Sequence, residues 1–273
     1  MKLLITICGR AGSKGVKNKN IKPFIGKPLV LYTISAALLY REAHANDHID
    51  ICVSSDSEEL LRLADRFELA CIHRPEDLSQ DTASKVSVIR HAALQMEKER
   101  NLRYDLILDL DITSPLRTLE DMENAIEKIF CRAEADVDIA NDANAEAGFI
   151  TDVVFSVVPS RRNPYFNMVE IREGKAGRIF ERAFTIRQQA PAVYDMNASI
   201  YCYRRDSLMN RLKDSPLDGT FDVILMRDTA VLDIDSEEDF ELMEFLADRI
   251  FYHDFRQILD YADGLMRQTQ QIL

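Results

Sequence analysis

A chain of formal charge −12 carries eight Lys or Arg and no acid in its first 41 residues. Half of that positive charge lies in residues 8–20, Cys-Gly-Arg-Ala-Gly-Ser-Lys-Gly-Val-Lys-Asn-Lys-Asn. Glycines at 9, 12 and 15 can turn tightly and bring backbone N–H groups close to an anion, while Arg10, Lys14 and Lys19 supply compensating charge. The segment fits neither G-x-x-x-x-G-K-[ST] nor G-x-G-x-x-G. It reads as a phosphate cradle of another design, with a plain solvated basic turn as the competing reading.

Carboxylates supply the other half of the chemistry. Asp233-Ile-Asp235 falls at the end of a predicted strand, where alternate side chains share one face. Two parallel carboxylates repel unless a cation lies between them, and oxygen-only ligands favour Mg²⁺ together with substrate phosphates. The competing reading has Asp235 merely helping to start the next helix. Asp109-Leu-Asp111 is a second alternating pair, followed by Thr113-Ser-Pro-Leu-Arg117. Arg117 could grip a phosphate or carboxylate through its planar fork, or pair structurally with Asp109 or Asp111. The five His, at 44, 48, 73, 91 and 253, have no ligand-like spacing and read as surface or core residues.

These groups need a scaffold, and the hydrophobic pattern predicts one. Strands are expected at 3–7, 49–54, 69–73 and 105–110, interleaved with helices at 29–40, 58–68 and 85–100. A helix over 118–132 has Thr118 as N-cap and Asp121 in the capping-box position. Strands at 153–158, 198–203 and 229–234 follow, then a helix over 237–250 capped by Ser236 and Asp239. Alternating strands and helices argue for an α/β fold with a parallel, doubly wound sheet, whose ligand site lies at the carboxyl ends of the strands. The acidic, Ala/Asn-rich stretch 133–146 reads as an inserted loop or frayed helix. Residues 161–194, polar and aromatic, break the rhythm as a lid or interface arm would. An apolar stripe from Phe251 to Met266 predicts a closing amphipathic helix.

Length and composition restrict the function classes. The 273 residues suit one large or two small domains, and 47% apolar with 29% charged content is ordinary for a globular protein. The acidic balance argues against general nucleic-acid binding, which needs a larger basic face than one loop. Cysteines at 8, 52, 71, 131 and 202 lack the spacing of a disulfide framework or zinc site and suggest buried thiols in a reducing cytoplasm. Gly9-Arg10 interrupts the first apolar run before it could act as a signal peptide, and no stretch is long enough to span a bilayer.

Taken in order, the segments at 9–20, 74–84 (Arg-Pro-Glu-Asp-Leu-Ser-Gln-Asp-Thr-Ala-Ser), 113–117, 197–201 (Asn-Ala-Ser-Ile-Tyr) and 233–239 (Asp-Ile-Asp-Ser-Glu-Glu-Asp) resemble the CMP-sialic acid synthetases. The resemblance runs to about residue 250. It implies a Rossmann-like nucleotidyltransferase domain over 1–250, a mostly parallel twisted sheet flanked by helices, followed by a C-terminal helical extension, 251–273. It further implies that CTP is joined to a 2-keto-3-deoxy sugar acid with Mg²⁺ and release of pyrophosphate. Arg10, Ser13, Lys14, Lys19 and Asn20 would then bind the triphosphate and its surroundings. Arg74, Asp81 and Ser84 would help hold the cytidine, and Asp233 and Asp235 would carry the metal. Arg10, Lys19, Asp233 and Asp235 form the implied catalytic set. Asp111, Thr113, Ser114, Arg162, Tyr165, Arg187, Gln188 and Asn197 fall on the implied sugar site. In this family an arm, here about 160–195, crosses to a second subunit, so a homodimer is expected, with Arg187 reaching the partner's sugar.

Departures from the family pattern bear on the sugar. Sialic acid synthetases have Gln in Gln-Pro-Thr-Ser-Pro-Leu-Arg and Arg-Pro-Asn-Gly further on; this chain has Asp111-Ile112 and Asp195-Met-Asn-Ala198. Carboxylates in place of an amide and a cation alter which substituents are accepted. The segments 161–167 and 187–199 look like the legionaminic acid branch, which makes that sugar the expected substrate. Rival sugars are N-acetylneuraminate, the deaminated nonulosonate, pseudaminate and Kdo. Rival classes are a glycosyltransferase using Asp-x-Asp and a non-catalytic CTP-binding subunit.

Overall fold

The computed structural model describes residues 1–130, 150–180 and 184–270. Strand β1 (Lys2–Cys8) buries five residues in succession, a run apolar but for Thr6 and suited to a strand covered on both faces. Its loop leads to a two-residue hairpin, β2 (Pro23–Phe24) and β3 (Lys27–Pro28), and then to α1 (Val30–Ala43). The βα rhythm continues through β4 (His48–Ser55), α2 (Glu58–Asp65), β5 (Ala70–His73), α3 (Lys85–Arg100), β6 (Leu106–Leu110) and α4 (Leu119–Phe130). After β7 (Val153–Pro159) a small hairpin, β8 (Val169–Arg172) and β9 (Lys175–Arg178), stands apart from the main sheet. The chain returns as β10 (Tyr194–Arg204), α5 (Arg205–Asn210), β11 (Phe221–Leu225), α6 (Glu237–Phe245) and α7 (Tyr252–Gln270), with a wider π turn at Leu246–Ile250.

The seven-stranded sheet has the order β11-β7-β10-β6-β1-β4-β5. All its strands run the same way except β10, which is antiparallel to both neighbours. Alternation along β1 sorts the two cores: Leu3, Ile5 and Ile7 pack with α1, α2, α4, α6 and α7, while Leu4 packs with α3 and α5. The reading of a mostly parallel sheet flanked by helices is thus borne out.

Capping chemistry sets the helix starts as the sequence predicts. Thr118 and Asp121 exchange hydrogen bonds, the Thr118 N–H reaching Asp121 Oδ2 at 2.8 Å and the Asp121 N–H reaching Thr118 Oγ1 at 3.2 Å. Ser236 and Asp239 form a complete capping box at α6. The C-terminal helix α7 is built into the domain: Phe255 stacks on Tyr32 of α1 at 5.9 Å, and Lys27 pairs with Asp263 at 2.6 Å.

Three expectations change. Residues 229–234 form no strand; Asp228–Val231 is a short 3₁₀ turn that runs into extended backbone outside the sheet, where the Ile234 N–H donates to Thr113 O at 3.1 Å. The place beside β7 is taken by β11, whose pattern is hard to read because Phe221 and Leu225 are both exposed at the sheet edge. The strand expected at 198–203 begins four residues earlier, with an irregularity between Met196 and Tyr201 that breaks its pairing with β7. The stretch 133–146 lies outside the described residues.

Candidate active site

The carboxyl ends of β1, β4 and β6 meet beneath the basic loop. As the chain leaves β1, the Gly9 N–H donates to Ser54 O of β4 at 3.1 Å, and the Ala11 N–H donates to Asp56 Oδ1 at 2.7 Å. The Asn20 amide donates to Arg10 O at 3.1 Å and closes the loop on itself. Gly15 is fixed by space: a Cβ there would lie 1.7 Å from the backbone oxygen of Asp235. Only glycine lets the basic loop and the Asp233–Asp235 segment come so close. Lys19 spans the same junction, its Nζ donating to Ile234 O and lying 3.5 Å from Asp235 Oδ1.

Between these segments is a cleft of about 380 Å³ lined by Cys8, Gly9, Arg10, Ser13, Lys14, Gly15, Lys19, Asn20, Asp111, Ile112, Thr113 and Asp235. A second hollow of about 260 Å³ shares Cys8, Arg10 and Asp111 with it and adds Arg74, Asp81, Ala83 and Lys85. The geometry therefore brings together Arg10, Ser13, Lys14, Lys19, Asn20, Asp111, Thr113 and Asp235 in one space, with Arg74 and Asp81 next door. Arg10 and Lys14 converge on Asp81, whose carboxyl their hydrogen bonds hold below its usual range. Arg74 is anchored through a donor to Ser54 O at 2.9 Å.

Cations and carboxylates face each other across the cleft. Burial disfavours charge on Asp111, yet Lys85 Nζ at 2.6 Å and two bonds from Thr113 outweigh it and lower the carboxyl to about 2. Lys85 also lies 3.2 Å from the fully buried Asp109 and over the Tyr201 ring at 4.4 Å. Burial opposes its charge too, but Asp111 and Asp109 prevail and hold the ammonium well above the ordinary lysine value. Asp233 is pushed the other way, upward, by burial and by the charges of Asp111 and Asp235 against a bond from Thr113. Its buried Oδ1 has no hydrogen-bond partner among the described residues. The two carboxylates do not extend from a strand end as the alternation suggested: Asp233 is half-buried, while the Asp235 side chain is 80% exposed.

Other expected site residues lie elsewhere. Asn197 is buried behind the cleft, accepting from Ser156 Oγ at 2.6 Å and donating to Ala230 O at 3.0 Å. Ser114 is buried as well, and the Ser84 hydroxyl caps α3 by accepting from the Ser87 N–H at 3.1 Å. Arg162, Arg187 and Gln188 are exposed on the arm, and Tyr165 stacks on Phe180 at 4.5 Å; none of the four lines the cleft. Arg117 proves structural. Fully buried, it donates to Ser199 Oγ and Thr33 Oγ1 and to the carbonyl oxygens of Asp111 and Ser114, and burial lowers it to about 10.

Residues 4–258 match the family described as Cytidylyltransferase. The chain belongs to the cytidylyltransferase family. Two curated relatives, "Post-translational flagellin modification protein B" of Campylobacter coli and "CMP-N,N'-diacetyllegionaminic acid synthase" of Campylobacter jejuni, are each 37% identical over 245 residues, 89% of this chain and 94% of theirs. A solved structure of CMP:2-keto-3-deoxy-manno-octonic acid synthetase, complexed with CTP, superimposes with a TM-score of 0.60 at 16% identity, over 92% of this chain and all of that one. Membership makes this a nucleotidyltransferase, and the last comparison shows the shared fold. Among the described residues, no helix is long and apolar enough to cross a membrane.

Two residues of this cytidylyltransferase site escaped the sequence reading. Asp56 follows β4 in Ser-Ser-Asp-Ser, where it looks like ordinary helix-start chemistry, and its hold on the Ala11 N–H is a tertiary contact. Lys85 opens α3 and reads as a solvated first-turn lysine. Only the sheet order, which sets β6 beside β1, brings Asp109 and Asp111 to it.

Proposed function

We propose that this cytidylyltransferase joins CTP to a nonulosonic acid, N,N'-diacetyllegionaminic acid, giving the CMP-sugar and pyrophosphate. The observation that carries the reading is the junction at Gly15, where a loop bearing Arg10, Lys14 and Lys19 meets Asp235 with no room for a side chain between them. Such a junction suits a polyphosphate held between cations and a metal-binding edge. The choice of sugar rests on the 37% identity to the relative named CMP-N,N'-diacetyllegionaminic acid synthase across nearly the whole of both chains.

In the reaction the sugar's anomeric hydroxyl attacks the α-phosphorus; a new P–O bond forms as the bond to the pyrophosphate oxygen breaks, and the hydroxyl proton is released to solvent. Arg10, Lys14 and Lys19 align the triphosphate and offset charge on its oxygens, and the backbone N–H groups of the loop add oriented dipoles. Arg74 and the Asp81 turn border the hollow proposed for the nucleoside. Mg²⁺ fits the carboxylates: all donors are oxygens, and the unpartnered Oδ1 of Asp233, crowded by Asp111 and Asp235, is the kind of group a hard cation satisfies. Asp233 and Asp235 would hold the ion, which supplies charge neutralisation at the phosphates. The arm from about 160 to 195 is proposed to cross to a second copy, so that Arg187 of one subunit reaches the sugar of the other. The protein is taken to work in the cytoplasm, where CTP is available.

The test is pyrophosphate release from CTP and Mg²⁺ with legionaminic, N-acetylneuraminic or pseudaminic acid or no sugar, alongside Asp235→Ala. Release that needs sugar, favours legionaminic acid and collapses in Asp235→Ala is expected. Preference for another sugar would correct the substrate alone, whereas no release with any sugar from CTP-binding protein would overturn the reading.

A further inference from the structure

The turn between β2 and β3 carries a strained residue. Ile25 has φ +45° and Gly26 has φ +75°, the pattern of a two-residue type I′ hairpin. Gly26 takes this conformation freely, but a β-branched side chain at positive φ is an outlier that costs energy. Tyr32 of α1 holds the carbonyl side of the turn, its hydroxyl donating to Phe24 O at 2.6 Å and to Ile25 O at 3.3 Å, and what holds the Ile25 amide comes from the other end of the chain. The Ile25 N–H donates to Glu244 Oε1 of α6 at 2.6 Å, Lys22 pairs with Glu237, and Lys27 pairs with Asp263 of α7 at 2.6 Å. Phe24, fully buried, meets Phe240 edge-on at 5.6 Å.

The hairpin continues directly from the end of the basic loop. Leu29 N–H donates to Lys22 O at 3.0 Å, and Lys22 N–H donates to Asn18 O at 2.9 Å, which fixes the 3₁₀ turn Lys19–Ile21. That turn sets the direction of Lys19 toward Ile234 and of Asn20 toward Arg10. We infer that Glu244 is a positioning residue for nucleotide binding: by clamping the strained Ile25 amide, it holds Lys19 and Asn20 in the geometry that receives the triphosphate. This rests on the reading of the cleft as the CTP site. It gives the C-terminal helices, remote from the reacting atoms, a part in setting CTP affinity.

Direct CTP binding, measured by titration calorimetry without sugar, tests this, together with kcat and KM for CTP. Glu244→Ala is expected to weaken CTP about tenfold, with KM for CTP rising by a similar factor and any fall in kcat smaller than that, as loss of mainly uniform binding requires. Glu244→Gln retains an acceptor for the Ile25 N–H and should bind like wild type. Glu244→Asp, one methylene short and the milder variant should Glu244→Ala fold poorly, should weaken CTP by about threefold, a fraction of the loss of a charge-assisted bond. Installing Ile25→Asn in the Glu244→Ala protein removes the positive-φ penalty and should recover most of the lost affinity, because Asn-Gly is the favoured pair for this turn. Wild-type affinity in both Glu244→Ala and Glu244→Asp would overturn the inference, as would a loss that Ile25→Asn does not recover. Failure of the wild-type protein itself to bind CTP would overturn the reading of the cleft instead.

Discussion

Two side chains at the cleft show how tightly local chemistry is specified. The first is one that is missing. Because a Cβ on Gly15 would lie 1.7 Å from the Asp235 backbone oxygen, Gly15→Ala must push the basic loop off the carboxylate segment. A displacement near 1 Å in positioning groups costs roughly a hundredfold in rate, so kcat/KM for CTP is expected to fall by about that much, and because the clash is with backbone the unfolding midpoint in urea should fall as well. The second is Asp111, whose carboxyl is lowered from 3.8 to about 2. A depressed carboxyl contributes stability that is fully present above its unfolded value and is lost as pH falls through its folded value. The window is therefore from about pH 4 down to about pH 2, and the contribution is about 2 kcal/mol. Urea titrations across that window should show a steeper loss in the wild-type protein than in Asp111→Asn, whose curve lacks this component.

At the scale of elements, Arg117 fastens three of them: Thr33 of α1, Ser199 of β10 and the carbonyls of the turn after β6. A lysine cannot reproduce this planar fork. Arg117→Lys is expected to lose about 2 kcal/mol in urea unfolding, the cost of leaving buried acceptors unpaired, with a smaller effect on KM for CTP because Arg117 does not itself line the cleft. The same residue illustrates what sequence can and cannot tell. Thr113-Ser-Pro-Leu-Arg117 is visible as a motif, but its side chains serve either a ligand or the fold, and only burial separates the two. Residues whose signal is local were legible: the capping pairs Thr118–Asp121 and Ser236–Asp239, the apolar run of β1, and the Gly- and Lys-rich loop. Residues whose role depends on a distant partner were not. Asn197 looks like a polar contact for substrate until Ser156 and Ala230 are seen to occupy its amide, and Lys85 looks solvated until Asp109 and Asp111 come within reach. Nor does alternation separate an edge strand from an extended segment outside the sheet, which is why residues 229–234 read as a strand and β11 does not.

For the whole molecule the unresolved demand is the arm. Val169 and Ile171 alternate on one face of β8 and are 69% and 75% exposed, and Phe180 and Ile186 nearby are exposed as well. So much apolar surface on a hairpin that, among the described residues, pairs only with itself is a mark of a protein contact. The proposed homodimer covers it with a second copy. Ile171→Glu puts a charge in the middle of that face without touching either core, so the subunit should keep its fold and its affinity for CTP. Sedimentation velocity is expected to show the 31.3 kDa chain as a dimer in the wild-type protein and as a monomer in Ile171→Glu. If Arg187 of one subunit completes the sugar site of the other, sugar-dependent pyrophosphate release should be lost along with the dimer, while CTP binding by calorimetry persists. A monomeric wild-type protein that turns over the sugar would instead place the whole sugar site within one chain and leave the apolar face of the arm to some other partner.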